Sequence, residues 1–217
     1  MNSKEPPSTT LEKQLLREES ISYIAGIDEA GRGPWAGPVV VVSCILLNFS
    51  LPSCEVGKIR ESKEMSKKKR EQLFVQLVKS PDLYYGVGIA SHSEIDATDI
   101  LSATGLAADR SIEALPLVPD YLLIDGKHLK SKMAFSIPYR EIVRGDQKVL
   151  TIAIASILAK VTRDKIMAKY DRKFPHYHFD QHKGYGTAMH QRALLFHGIC
   201  PIHRKSFSPI KKLIKES

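Results

Sequence analysis

The 217-residue chain has little cysteine. There are three, Cys44, Cys54 and Cys200, and none stands in a C-x-x-C pair. A sparse, odd count argues against a disulfide framework or a thiolate zinc site and for a reducing compartment. Long apolar runs are also missing. The longest, Val39 to Leu47, is interrupted by Ser43 and is too short to span a bilayer. Residues 1–20 are polar and charged, without the apolar stretch that opens a secretory signal. No internal repeat and no low-complexity tract is present. These absences lead to the expectation of a cytoplasmic protein with no membrane partner.

An acidic excess is absent as well. Lys and Arg number 32 against 24 Asp and Glu, a formal charge of +8 and a pI near 9.3. A basic surface points to a polyanionic partner, nucleic acid ahead of an anionic membrane, although a generic solubilising charge explains it equally simply. Hydrophobic content of 43% and charged content of 26% are ordinary for a globular chain. The length suits one domain with a small appendage.

The apolar runs predict strands over 23–28, 39–47, 84–90, 121–126 and 137–144. Helical spacing predicts helices over 11–19, from Ser66 to about 79, from a Ser91-x-x-Glu94 capping box to about 115, over 151–174 and over 187–197. Residues 48–62 read as a loop, and the tail from Cys200 as basic and extended before Lys211. The order is that of a layered α/β domain with a mixed sheet, followed by a small helical C-terminal part.

Chemistry concentrates where strands stop. The first predicted strand runs into Asp28-Glu29 and then Gly31-Arg32-Gly33-Pro34; the fourth ends in Asp125-Gly126, the fifth in Gly145-Asp146. Sites in open α/β sheets gather at strand ends. Four acids meeting there would repel one another unless a divalent cation neutralised them, and all-oxygen ligands select Mg²⁺ or Mn²⁺. Taken singly, each acid is also ordinary turn or cap chemistry. Neighbouring strand residues face opposite ways, so Asp28 and Glu29 share one site only where the strand twists or ends. A tight Gly-Arg-Gly backbone could bond a ribose 2′-hydroxyl while Arg32 reaches a phosphate, although a plain glycine turn has the same sequence.

The ordered series resembles the bacterial ribonuclease HII family. The resemblance rests on Gly26 to Pro34 with Gly37-Pro38-Val39-Val40, on Ser62-Lys63 and Arg70-Glu71-Gln72-Leu73, and on Ile124-Asp125-Gly126. It continues with Gly145-Asp146, Ile152 to Asp164, His182 to Thr187, and His203-Arg204-Lys205-Ser206-Phe207. It implies a ribonuclease H-like fold, a five-stranded mixed sheet flanked by helices. The implied layout is a flexible or short helical lead over 1–20, a catalytic domain over 21–175 and a helical substrate-binding extension over 176–217. It implies an endonuclease that cuts the RNA strand of RNA/DNA hybrids and cuts 5′ of single ribonucleotides in duplex DNA, leaving 3′-hydroxyl and 5′-phosphate ends. Two Mn²⁺ or Mg²⁺ ions would be held by Asp28, Glu29, Asp125 and Asp146 as the catalytic acids. Gly31, Arg32 and Gly33 would sense the ribose, Tyr185 would stack on the neighbouring deoxyribose, and Lys63 and Lys183 would line the nucleic acid. A monomer is expected, with a replication clamp as a partner of the C-terminal tail. The related ribonuclease HIII carries an extra N-terminal substrate-binding domain, expected to be absent here. Glu64-Met65 and His178 depart from the family pattern. A resolvase or transposase-type nuclease, or a non-catalytic RNA-binding protein, would fit part of the same residues.

Overall fold

The computed structural model describes residues 7–18, 21–47, 59 and 66–216. Its centre is a five-stranded sheet: β1 (Ile24–Ala30), β2 (Val39–Leu46), β3 (Leu83–Ala90), β4 (Tyr121–Asp125) and β5 (Tyr139–Ile142), in the order β3-β2-β1-β4-β5. β1 pairs antiparallel with β2 and parallel with β4, so the sheet is mixed as the apolar runs predict. Every residue of β2 is buried, because alternate side chains enter different cores. Val39, Val41 and Ile45 meet α4 (Ile100–Glu113) on one face. Val42, Cys44 and Leu46 meet α2 (Lys67–Leu77) and α5 (Leu150–Lys173) on the other. The Ser91–Glu94 capping box is formed, opening α3 (His92–Ala97), which stops before α4 rather than continuing into it.

The long helix α5 lies directly on β1. Gly26 permits this: a Cβ there would fall 2.4 Å from the Thr151 carbonyl carbon. Asp28, two residues on, therefore faces the same helix. The start of α5 is held by the N-terminal lead. There α1 (Thr10–Glu18) buries Leu15 against Ile24, Leu123, Val149 and Ile152. Glu12, fully buried, accepts from the Thr151 N–H at 3.2 Å and from its hydroxyl at 3.1 Å. It supplies the cap that Val149, at the helix's own N-cap, lacks.

Three expectations are corrected. β5 spans only four residues, and Asp146 lies beyond it on a 3-10 turn, Gly145–Gln147. Arg144, in the left-handed region with φ 56, breaks the strand direction first. The tail is not extended up to Lys211, because α8 (Ser208–Glu216) starts earlier and buries Ile210. β1 runs on through Glu29 to Ala30, so the two acids still pair with β2.

Beyond α5 the chain forms a short helix α6 (Phe179–His182), then α7 (Ala188–His197) and α8. These pack Tyr177, Phe179, Leu194 and Ile202 against Met167 of α5 and Ala36 of the glycine turn. The turn is thus walled in by the C-terminal helices. Among the described residues, no helix is long and apolar enough to cross a membrane.

Candidate active site

The site starts from a difference in strand length. The β1–β4 ladder ends at Ile27 opposite Ile124, while β1 goes on with β2 to Ala30. The next parallel neighbours would be Asp28 and Asp125, on strands about 4.8 Å apart. Asp28 is buried and hydrogen-bonded by the Glu29 N–H at 2.7 Å and by the Ser156 hydroxyl of α5. Burial pushes its pKa well above the usual carboxylate range, and the charges of Glu29 and Asp125 push it further. No cation pairs with it among the described residues. Among the described residues the Glu29 carboxylate pairs with Arg32, at 3.3 Å. Burial still raises Glu29 despite that guanidinium, with Asp125 adding to the rise.

Asp125 Oδ1 accepts from the Gly145 N–H at 2.5 Å. That bond ties the end of β4 to the turn carrying Asp146, which is half-buried one residue further on. The four acids are therefore gathered at one end of the sheet. They do not form a closed cage: among the described residues no three His, Cys, Asp or Glu side chains converge on one point. Their chemistry fits a hard divalent cation, since the donors are all oxygen, Asp28 is buried without a counter-charge among the described residues, and the nearby Asp125 raises the proton affinity of both Asp28 and Glu29.

Beside the acids lies a cleft of about 330 Å³, bordered by Glu29, Gly31–Gly33, Ser156, Lys160 and Tyr185. Strand alternation alone would send Glu29 away from Asp28. Of the two acids it is Glu29 that borders the cleft, while Asp28 is turned under it toward Ser156 of α5. Gly31 has φ 106, and a Cβ there would sit 2.1 Å from Arg163 Nε, so no other residue fits. Gly33 is different, since its Cβ would meet only Tyr185, at 3.6 Å. Tyr185 is 45% exposed and stands across the cleft mouth from Gly33. Its loop is fixed through Gly186, which packs on Trp35, and through the Trp35 N–H donating to the Gly184 carbonyl at 2.8 Å.

Arg32 is turned to Glu29 rather than outward. Lys183 is mostly buried, its ammonium donating to the Asp180 carbonyl and its own carbonyl accepting from Arg163 at 3.0 Å. Its pKa is lowered, first by burial and then by the nearby Lys67 and Lys160, of which Lys160 borders the cleft. Lys63 lies outside the described residues.

Four residues were not legible as site residues. Ser156 holds Asp28, Lys160 borders the cleft while paired to Asp164 at 2.8 Å, and Arg163 and Arg204 lie fully buried beneath the turn. Arg163 donates to the carbonyls of Pro38, Ala36 and Lys183 at 2.9 to 3.1 Å. The i, i+4, i+7 spacing of Ser156, Lys160 and Arg163, starting within the small and aliphatic run 152–159, is the signal that marks them.

Comparison with known proteins agrees with this geometry. A family model described as Ribonuclease HII matches residues 25–210. Ribonuclease HII of Chlamydia pneumoniae is 46% identical over 203 residues, covering 93% of this chain and 90% of the relative. That of Magnetococcus marinus is 47% identical over 211 residues, covering 96% and 95%. Among solved structures, ribonuclease H2 from Pyrococcus horikoshii OT3 superposes with a TM-score of 0.73 at 23% identity, over 90% of this chain and 98% of that one. Bst-RNase HIII in complex with Mn²⁺ gives 0.68 at 15% identity, over 89% and 70%. The fold is that of the ribonuclease H-type proteins, and the chain belongs to the ribonuclease HII family of endoribonucleases.

Proposed function

We propose that the protein cuts the RNA strand of RNA/DNA hybrids and the 5′ side of single ribonucleotides in duplex DNA, leaving 3′-hydroxyl and 5′-phosphate ends. The observation that carries this reading is the junction of two features on one strand. Buried, mutually raised carboxylates end where a glycine turn begins, and the turn borders a cleft closed at its far side by Tyr185. Asp28, Glu29, Asp125 and Asp146 hold two divalent ions, Mg²⁺ or Mn²⁺, a set that the complex of Bst-RNase HIII with Mn²⁺ makes reasonable for the fold. When bound, such ions supply a water nucleophile at neutral pH and stabilise the leaving oxygen.

The chain's own residues set the rest. Ser156 keeps Asp28 oriented through its hydroxyl. The turn at Gly31–Gly33 reads the 2′-hydroxyl through backbone N–H groups, which a deoxyribose cannot engage. Tyr185 offers its exposed ring to the sugar on the far side of the RNA–DNA junction. Lys160, with Lys67 and Lys183 nearby, gives the cleft wall a positive field for the phosphate backbone, and Lys63 extends it. The segment 176–217 is the substrate-binding extension and 21–175 the catalytic domain, preceded by the lead at 1–20. A sliding clamp meets the C-terminal tail, by analogy with the PCNA:RNase HII complex from Archaeoglobus fulgidus.

The test is cleavage of three labelled substrates with Mn²⁺ or Mg²⁺: a hybrid, a duplex with one ribonucleotide, and a four-way all-DNA junction. Cuts in the first two with 3′-hydroxyl ends are expected. Cutting of the junction alone would favour a resolvase-type nuclease, and binding without products a non-catalytic RNA-binding protein.

A further inference from the structure

The motif His203-Arg204-Lys205-Ser206-Phe207 has no role in the reading above, yet Arg204 bonds four carbonyls of the glycine turn. Its guanidinium is fully buried. Nη2 donates to the Gly31 carbonyl at 2.6 Å, Nη1 to the Arg32 carbonyl at 2.9 Å, and Nε to the Gly37 carbonyl at 2.9 Å. Its backbone N–H donates to the Trp35 carbonyl at 2.8 Å. No carboxylate pairs with it among the described residues; burial and the nearby Arg163 lower its pKa to about 9.

The consequence follows from peptide geometry. In a trans peptide the C=O and N–H point in opposite directions. With the Gly31 and Arg32 carbonyls drawn onto Arg204, the N–H groups of Arg32 and Gly33 point away from it, and both residues border the cleft. Neither N–H has a backbone partner among the described residues. Gly33 brings no Cβ into the space between that pair of donors and Tyr185. Two adjacent, outward donors form an acceptor-binding concavity of the kind that suits a hydroxyl or phosphate oxygen.

We infer that Arg204, from the C-terminal helical segment, is the positioning residue that sets ribose selectivity, by fixing the orientation of the two peptides that read the 2′-hydroxyl. It touches neither substrate nor metal and acts through the turn. The inference rests on the turn being the ribose reader. Its anchor is Asp96 of α3, whose carboxylate accepts from the Lys205 N–H at 2.9 Å, the Ser206 N–H at 2.8 Å and the Ser206 hydroxyl at 2.6 Å.

The experiment compares the wild type, Arg204→Lys and Asp96→Ala. Lysine keeps the charge but cannot hold two carbonyls with one planar fork. Binding to a single-ribonucleotide duplex and to the matching all-DNA duplex is measured in EDTA, so that nothing is cut, while the amide resonances of Arg32 and Gly33 are followed. In the wild type both amides should shift with the ribonucleotide duplex and stay nearly still with DNA. Arg204→Lys should lose about tenfold or more in the ratio of the two affinities, with DNA affinity held within twofold. Asp96→Ala, which spares the guanidinium, should lose a few-fold and decides the question if Arg204→Lys does not fold. Equal amide shifts with both wild-type complexes would show that the turn does not read ribose, and the underlying reading fails. Selective wild-type shifts with undiminished selectivity in the folded variants would overturn the role of Arg204 and leave it a stabilising staple only.

Discussion

The two sides of the glycine turn treat buried charge in opposite ways. Beneath it, Arg163 and Arg204 place their guanidiniums against three carbonyls each, and the protein's own backbone satisfies them. Above it, Asp28 is buried with one hydroxyl, one N–H and two neighbouring acids, and Glu29 has a single half-exposed arginine. A buried ion costs several kcal/mol unless it is compensated. The cationic side is complete as it stands. On the anionic side no cation pairs with Asp28 among the described residues, which is what the proposed metal ions would supply. That asymmetry separates a scaffold from a site, although both are clusters of like charge within one short stretch of chain.

The comparison can be broken most severely on the acid side. Asp28→Asn or Asp125→Asn should reduce cleavage by more than about a hundredfold, because each removes an ionic ligand from the proposed metal site. The same Asp28→Asn should raise the melting temperature measured in EDTA, since it relieves a buried charge that the fold itself does not compensate. A variant both inactive and less stable would contradict the assignment of strain to this carboxylate.

The next effect sets Gly31 against Gly33. Gly31→Ala should destabilise the fold by more than about 2 kcal/mol, through positive φ and a collision with Arg163. Gly33→Ala should cost less than about 1 kcal/mol of stability, read by denaturant melts, and yet impair discrimination of ribose from deoxyribose. Smaller again is Tyr185→Ala, where binding should weaken by about 1–3 kcal/mol with little change in stability; gel-shift affinities on a duplex with one ribonucleotide would measure it.

Acid sharpens the comparison from the other side. His190 and His203 are buried in line, Nε2 to Nε2 at 2.9 Å, and burial lowers them to about 3 and about 4. Groups lowered below an unfolded value near 6.5 stabilise the fold above that pH and lose the contribution as pH falls toward 4. Each ring should steepen the acid loss by at most about 1.4 kcal/mol per pH unit. The raised Asp28 and Glu29 act with the opposite sign, contributing below the ordinary carboxylate value and losing the contribution as pH rises through their folded values. Melting curves from pH 7 to pH 5 should therefore fall less steeply in His203→Gln than in the wild type.

Much of this is written in short-range pattern. The strands were legible because β-branched runs bury both faces, and Asp28, Glu29 and Asp125 because each follows such a run directly. Asp146 was legible as an acid after a strand, but its turn was not, since a left-handed Arg144 carries no signal in its neighbours. The helix at Ser208 was hidden by its lysines and by Pro209, which is tolerated in a first helical turn. The buried roles of Arg163 and Arg204 were not legible because most of their partners, the carbonyls of residues 31–38, lie more than a hundred residues away and have no side-chain identity to detect. Glu12 was hidden in the same way, as an ordinary acid in an amphipathic lead until Thr151 is brought to it.

The central claim is that the strand-end acids form a metal site left incomplete by the protein. Calorimetric titration of Mn²⁺ into the wild type and Asp125→Asn near neutral pH, in two buffers of different ionisation enthalpy, tests it without reference to activity. Raised carboxylate pKa values predict that wild-type binding expels protons, so that the apparent heat depends on the buffer, and that Asp125→Asn binds far more weakly. Tight binding retained in the variant, or none in the wild type, would contradict the account.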